Sequence, residues 1–196
     1  MSVLVFLEFS NGSLKETSKQ ALNYANSIND NVYGISDSNI DGDNLKSLGI
    51  FGLSTYFKFS GSFTEKNSFN SIITSIKDFK INFIVFPKSN HFLKVSSNLS
   101  VELNFPLVTN VVSVPKFENK ICIKSLIFSG KAESNVEINS DNCIFVLNKN
   151  IIKISSFNKS VQIKEISYKT INSSSDRVFS INKEKIEGDI LLNDAD

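Results

Sequence analysis

The chain has 196 residues, with 21 Lys plus Arg against 20 Asp plus Glu and a formal net charge of +1. That length suits one domain of ordinary size with an appendage, able to bury roughly 70% of its unfolded surface without metal or disulfide staples. Balanced, scattered charge argues against a nucleic-acid or anionic-lipid footprint, and apolar runs such as Phe83-Ile84-Val85-Phe86 fall far short of the roughly 18 residues a membrane helix needs.

Val3-Leu4-Val5-Phe6-Leu7 is an uninterrupted apolar run, the pattern of a parallel strand buried on both faces, and is expected at the centre of a sheet. Ser13 and Glu16 have capping-box spacing, and Leu14, Ala21, Leu22, Ala25 and Ile28 fall on one face of the helix expected next. Residues 32–35 give a second strand, 44–48 a short helix ended by Gly49, and 55–59 a third strand. Phe69, Ile72, Ile73, Ile76 and Phe79 recur at helical spacing and lead into a strand over 81–86. After Pro87 a weaker helix is expected over 95–103, then a strand over 107–114. Strands alternating with helices demand a mainly parallel sheet covered on both faces, hence three layers.

Farther on the pattern changes. Residues 121–128, 134–138, 143–147 and 161–167 are strand-like with no helix-length segment between them, so all are expected to be antiparallel strands appended to the parallel core. Residues 168–196, with Ser173-Ser174-Ser175 and then mixed charge, are expected to form a tether with one docked stretch at 177–181. At the other end, Met1-Ser2-Val3-Leu4 has no basic lead and the apolar run stops at Glu8, so neither a signal peptide nor a presequence is expected. A bacterial cytoplasm, or a mature organellar form, is the expected home.

In such a sheet, ligands sit beyond the carboxyl ends of the strands where the strand order reverses, which points to residues 9–13, 37–44 and 87–94. A phosphate there needs glycines for close approach and a helix amino terminus aimed at the anion. Asn11-Gly12-Ser13 offers a hint of this, but fits an ordinary turn leading into a helix better. His91 is the chain's single histidine and the first place to seek a general base. No nucleophile or paired carboxylate stands near it in sequence, so a surface or packing role is expected.

Ser129-Gly130-Lys131 lacks the glycine that opens a Walker loop and is expected to be a turn, with Gly130 at positive φ. Asp37, Asp41 and Asp43 cluster around Gly42, yet the twelfth position of a calcium loop is not acidic in either register. Cys122 and Cys143 lie inside apolar runs at no zinc spacing and are expected to be reduced, structural thiols. No catalytic, cofactor-binding or metal-binding residue is assigned.

Four segments carry a family likeness: Ser2-Val3-Leu4-Val5-Phe6, Leu48-Gly49-Ile50-Phe51-Gly52-Leu53, Pro106-Leu107-Val108-Thr109-Asn110 and Phe128-Ser129-Gly130-Lys131-Ala132. In order and spacing along residues 1–148 they resemble a Ser-Val-Leu-Val-Phe start, a Leu-Gly-x-Tyr-Gly-Ala segment, a Pro-Leu-Val-Thr-Asp strand and a Tyr/Phe-Ser/Ala-Gly-Lys-Ala turn. Together these resemble the amino-terminal domain of the electron transfer flavoprotein alpha subunit. The resemblance implies an α/β fold, a three-layer, mainly parallel Rossmann-like sheet of the adenine nucleotide alpha hydrolase type with appended antiparallel strands. That domain is expected over residues 1–167, with 168–196 as a tether to an FAD-binding domain. The segment Asp189-Ile190-Leu191-Leu192-Asn193-Asp194-Ala195-Asp196 is similar to the Leu-Thr-Glu-Ala-Asp lead into that domain, so the chain is expected to stop where it begins.

The same resemblance implies a non-enzymatic role, with no cofactor in this chain and FAD in the complete heterodimer. The implied partner is the electron transfer flavoprotein beta subunit. The assembled protein would take electrons from acyl-CoA or other flavin dehydrogenases of fatty acid beta-oxidation to a quinone oxidoreductase and the respiratory chain, with neither nucleic acid nor membrane insertion involved. One departure weakens nucleotide binding: where the family often has Gly-Lys-Asp or Gly-Arg-Asp after the fourth strand, this chain has Asn90-His91-Phe92-Leu93-Lys94. The alternative reading is a stand-alone nucleotide-binding module similar to universal stress proteins, which needs a phosphate-cradling glycine loop that this sequence does not display.

Overall fold

The computed structural model describes residues 1–38, 40, 42–59, 61–63 and 66–166. The chain begins with β1 (Val3–Phe6), the short strands β2 (Phe9–Ser10) and β3 (Ser13–Leu14), α1 (Glu16–Ile28) and β4 (Val32–Ile35). It continues through α2 (Gly42–Ser47), a 3-10 turn over Leu48–Phe51, β5 (Thr55–Lys58), α3 (Lys66–Asp78), β6 (Phe83–Phe86) and α4 (Leu93–Leu103). The remaining elements are β7 (Leu107–Val111), β8 (Lys116–Phe117), β9 (Ile121–Ile127), β10 (Ala132–Ile138), β11 (Cys143–Leu147) and β12 (Gln162–Glu165). The tether expected over 168–196, with its docked stretch at 177–181, lies outside the described residues.

The main sheet runs β10-β9-β7-β11-β6-β1-β4-β5-β12, with β8 paired to β9. Every neighbour pair from β7 to β12 is parallel, and β8, β9 and β10 join antiparallel. β1 is central, as its continuous apolar run implies, and each of its residues is buried. Its side chains alternate between two cores. Val3 and Val5 pack with Ala21, Leu22 and Ala25 of α1 and with Leu45 of α2. Leu4 and Phe6 pack with Ile72 and Ile76 of α3 and with Val95 and Leu99 of α4. The three expected layers follow.

Only part of the expected antiparallel addition is present. β9 and β10 form an antiparallel ribbon, but β11 inserts in parallel between β6 and β7, and β12 joins the far edge in parallel with β5. The reason lies in β11 itself: all five residues are buried, the signature of a strand covered on both faces. Absence of a helix between strands was a poor guide because the crossover after β11 is an irregular strap, residues 148–161, instead of a helix.

Polar side chains of α1 hold that strap. Gln20 and Asn150 exchange two hydrogen bonds, Gln20 Nε2 to Asn150 Oδ1 at 3.1 Å and Asn150 N to Gln20 Oε1 at 3.0 Å. Ser155 N donates to Asn23 Oδ1 at 2.6 Å, Phe157 N to the Ile50 carbonyl at 2.8 Å, and Lys159 Nζ to the Asp30 carbonyl at 2.7 Å. Burial pulls the Lys159 ammonium below the usual lysine range, an effect opposed by Asp30. The strap also needs Gly49, since a Cβ there would run into the Lys159 carbonyl oxygen.

Three local expectations change. Ser13 does not cap α1: it belongs to β3, paired with β2 around Asn11 and Gly12, both at positive φ as a two-residue type I′ hairpin loop requires. The α1 cap position is Lys15, whose carbonyl accepts from Ser18 N and Lys19 N, while Ser18 Oγ accepts the Glu8 N–H at 2.9 Å. The helix after β4 ends not at Gly49 but through the 3-10 turn at Gly52, which has φ 94. Finally, β7 carries a bulge: Phe145 faces Val108 while Leu147 faces Val111, so one extra residue is accommodated, with Asn110 at φ 52.

Cys143 is buried and its thiol points to the Pro106 carbonyl at 3.3 Å, whereas Cys122 is half-buried on β9. Burial pushes the Cys143 thiol from 9.0 up to about 12, partly offset by a backbone hydrogen bond from Ile144. Because the folded state holds this proton more tightly than the unfolded chain, its stabilising contribution is complete below pH 9.0 and is lost as pH rises toward about 12. Denaturation followed between those limits should therefore show an alkaline decline that is shallower in Cys143→Ala. Gly49→Ala should cost about 1–3 kcal/mol by urea titration at neutral pH, because the strap must lift to admit the methyl group.

Candidate functional site

From β1 the chain moves outward through β4 and β5 and then returns to β6 on the other side of β1. The carboxyl ends of β1 and β6 therefore flank the crevice in which open parallel sheets bind ligands. At these strand ends aromatic rings pack on the α3/α4 side of the sheet. Phe6 stacks on Phe86 with centroids 4.3 Å apart, and Phe63 and Phe92 approach Phe6 edge-on at 5.0 and 5.9 Å. All four side chains are fully buried.

His91 closes the same end. Its ring lies 5.0 Å from Phe92 and 6.4 Å from Phe63. Its Nε2 stands 3.1 Å from Asp37 Oδ2, a carboxylate 54 positions away that sequence spacing did not bring to it. Asp37 follows β4 and His91 follows β6, so the pair bridges the end of β1 between them. Both partners are partly exposed, and such a pair contributes at most about 1 kcal/mol. Ser89 Oγ accepts the backbone N–H of His91 at 3.2 Å. Beneath, Tyr56 is pushed well above the usual phenol range, first by burial and then by the Asp37 charge.

Two local features weigh against a phosphate at this end. Asn11-Gly12 is committed to the hairpin between β2 and β3. The first turn of α1 carries Glu16, whose carboxylate already complements the positive helix end and would repel a phosphate. A cleft of about 380 Å³ beside the start of α1 is no substitute, for its amide and carboxylate lining is engaged: Gln20 bonds Asn150, and Glu16 pairs with Lys19. Of the carboxylates considered for calcium, Asp37 faces His91 and Asp41 lies outside the described residues. Among the described residues no three His, Cys, Asp or Glu side chains gather as metal ligands would.

The other place where sequence motifs converge is the β9–β10 ribbon. Pro106-Leu107-Val108-Thr109-Asn110 supplies the bulged strand from which it departs, and Lys88 Nζ donates to Asn110 Oδ1 at 2.8 Å. Asn is among the few residues that tolerate left-handed backbone without strain. Beyond the bulge, Val112 N donates to the Lys124 carbonyl and Ser125 Oγ to the Thr109 carbonyl at 2.6 Å, which fastens β9 to the parallel sheet.

Phe128-Ser129-Gly130 forms the turn at the ribbon's tip, with φ of 51, 54 and 85 in succession. Gly130 thus has the positive φ expected of it, although the two residues before it share that conformation. One face of the ribbon carries Ile121, Ile123, Val136 and Ile138 into the core. The opposite face is charged, with Lys124 on Glu133 at 2.6 Å and Lys120 on Glu137 at 3.0 Å. Burial fades toward the tip, where Ile127 is 39% and Phe128 75% exposed. Val114 and Phe117, also in this part of the chain, are left exposed as well. Nothing in the apolar alternation of β9 announced that the Phe128 ring just after it would face solvent.

Residues 3–171 match the family model for the electron transfer flavoprotein domain. No curated protein matches the chain. That match spans β1 to β12, including the bulge and the ribbon turn. The chain therefore belongs to the electron transfer flavoprotein family.

Proposed function

We propose that this chain acts as the alpha-type, amino-terminal domain of an electron transfer flavoprotein: a non-catalytic platform that holds a beta subunit through the side of the molecule built by β9 and β10. The observation that carries this reading is the use made of two segments. Pro106-Leu107-Val108-Thr109-Asn110 and Phe128-Ser129-Gly130-Lys131-Ala132, which give the alpha-subunit likeness, are the segments that launch and turn the ribbon. The exposed Ile127 and Phe128 at its tip are apolar anchors of the kind a lasting subunit interface buries.

The hairpin commitment of Asn11-Gly12 supports the same assignment. A platform has no need of a nucleotide at the β1/β6 end, whereas a module like the universal stress proteins does. In this reading residues 168–196 form a tether, FAD sits in a domain beyond this platform, and the assembled carrier passes electrons from acyl-CoA or other flavin dehydrogenases to a quinone oxidoreductase in a bacterial cytoplasm.

Mixing the purified chain with an electron transfer flavoprotein beta subunit should give a co-eluting complex in size-exclusion chromatography. Phe128→Asp should weaken it by about tenfold or more, the scale of an anchor residue, without moving the thermal midpoint of the free chain. AMP and ATP should leave that midpoint unchanged. A saturable rise with either nucleotide, together with no complex, would replace the platform by the nucleotide-binding module.

A further inference from the structure

β12 is held differently from every other strand of the parallel sheet. Its four residues, Gln162, Ile163, Lys164 and Glu165, are all exposed, and Ile163 retains 41% of its surface. It occupies the sheet edge and pairs only with β5, in the register Gln162↔Thr55 to Glu165↔Lys58. Parallel pairing is the weaker ladder per residue, and the side-chain contacts that accompany it are solvent-facing. Lys58 meets Glu165 at 3.6 Å, and Lys164 sits over the Phe79 ring at 4.8 Å. Exposed contacts of this kind hold little.

The chain on either side is anchored unequally. Before β12, the strap is fixed by Gln20, Asn23 and the Ile50 carbonyl, and Val161 packs against the core on the α1 face. After β12, the one apolar foothold among the described residues is Ile166, half-buried against the α3 side, with its N–H on the Lys58 carbonyl at 3.0 Å. Strong fixation up to 161 and weak fixation from 162 to 166 define a hinge.

We infer that β12 is a releasable latch on the sheet edge: residues 162–166 unzip from β5 while the strap stays docked up to Val161, and the open state bares the backbone edge of β5. Its closed state also covers the edge of β5, whose Thr55, Tyr56 and Phe57 are buried. This inference stands on the exposure of β12 and the anchoring of the strap, and does not depend on the identity of the subunit partner.

Hydrogen exchange of the full chain tests it. Amides of 162–166 should exchange about 100-fold faster than those of β11, at rates indifferent to low urea as sub-global opening requires, while the Ser155 and Phe157 amides keep their protection. Exchange of β12 together with β11, through global unfolding alone, would overturn the latch. Ile166→Asp should abolish protection in β12 and spare the strap. A folded Ile166→Asp chain that keeps the β12 protection would overturn the foothold assigned to Ile166. Should that variant unfold, the exchange pattern of the unaltered chain decides.

Discussion

The parallel sheet depends on a slot filled out of order. β6 and β7 follow one another in the chain, separated by α4, yet they do not touch as neighbours; β11, which arrives only after the ribbon, lies between them. Its five buried residues include Phe145, whose ring meets Phe83 and Tyr24. Burying such side chains stabilises by roughly 1.5–3 kcal/mol each, and here the burial also joins two halves of a sheet. Until β11 docks, β7 and the ribbon have no parallel partner to hold them to β6. The ribbon can form by itself, as a local antiparallel hairpin with a short turn, and thereby deliver Cys143 to the start of the slot. Contacts of long sequence separation then come last, in keeping with the entropy of closing large loops.

The same route explains why α1 is polar on one side of its buried surface. A strand added in parallel after β11 requires a crossover, and crossovers are usually helices that satisfy their own backbone groups. The strap makes no such provision, so its amides need partners from elsewhere. Gln20 and Asn23 are buried on α1 and supply them, and Asn26 Oδ1 accepts from the Lys159 ammonium. Burying an amide side chain is costly unless its hydrogen bonds are made; among the described residues no buried side-chain nitrogen or oxygen is left without a partner. Gly49 and these amides therefore act together: one removes bulk where the strap must approach, and the others hold it once there.

How legible this was in the sequence follows from which forces are local. Strands such as β1, β4 and β6 declared themselves because burial on both faces leaves no polar residue in the run, and α3 because Phe69, Ile72, Ile73, Ile76 and Phe79 keep a helical period. The type I′ loop at Asn11-Gly12 was also written locally, but the capping-box spacing of Ser13 and Glu16 competed with it and lost, because pairing Phe9 with Leu14 buries Leu14. The direction of β11 and β12 was not written locally at all. It is decided by which edge or slot remains open once the rest has folded, and by polar contacts between Asn and Gln side chains 130 or more residues from their partners. The meeting of His91 with Asp37 escaped for the same reason: two loops belong to one end of the sheet only because β4 and β6 both flank β1.

Fold alone is silent on function, and this chain shows why the location of its unusual features carries the argument. At the end of the sheet that serves ligands in open α/β proteins, Phe6, Phe63, Phe86 and Phe92 make one buried aromatic cluster, with His91 and Asp37 paired beside it. Left-handed backbone draws attention elsewhere. Asn110, Phe128, Ser129 and Gly130 all occupy positive φ, and all serve to throw the ribbon out from the sheet and end it on an exposed ring. Left-handed backbone at a phenylalanine persists only where surrounding structure enforces it and something is gained by the resulting direction. In the ribbon the gain is projection: the turn places Phe128 outside the core that buries Phe6, Phe83, Phe86 and Phe145. An aromatic side chain held in solvent by left-handed backbone is the feature that supports the proposed subunit contact.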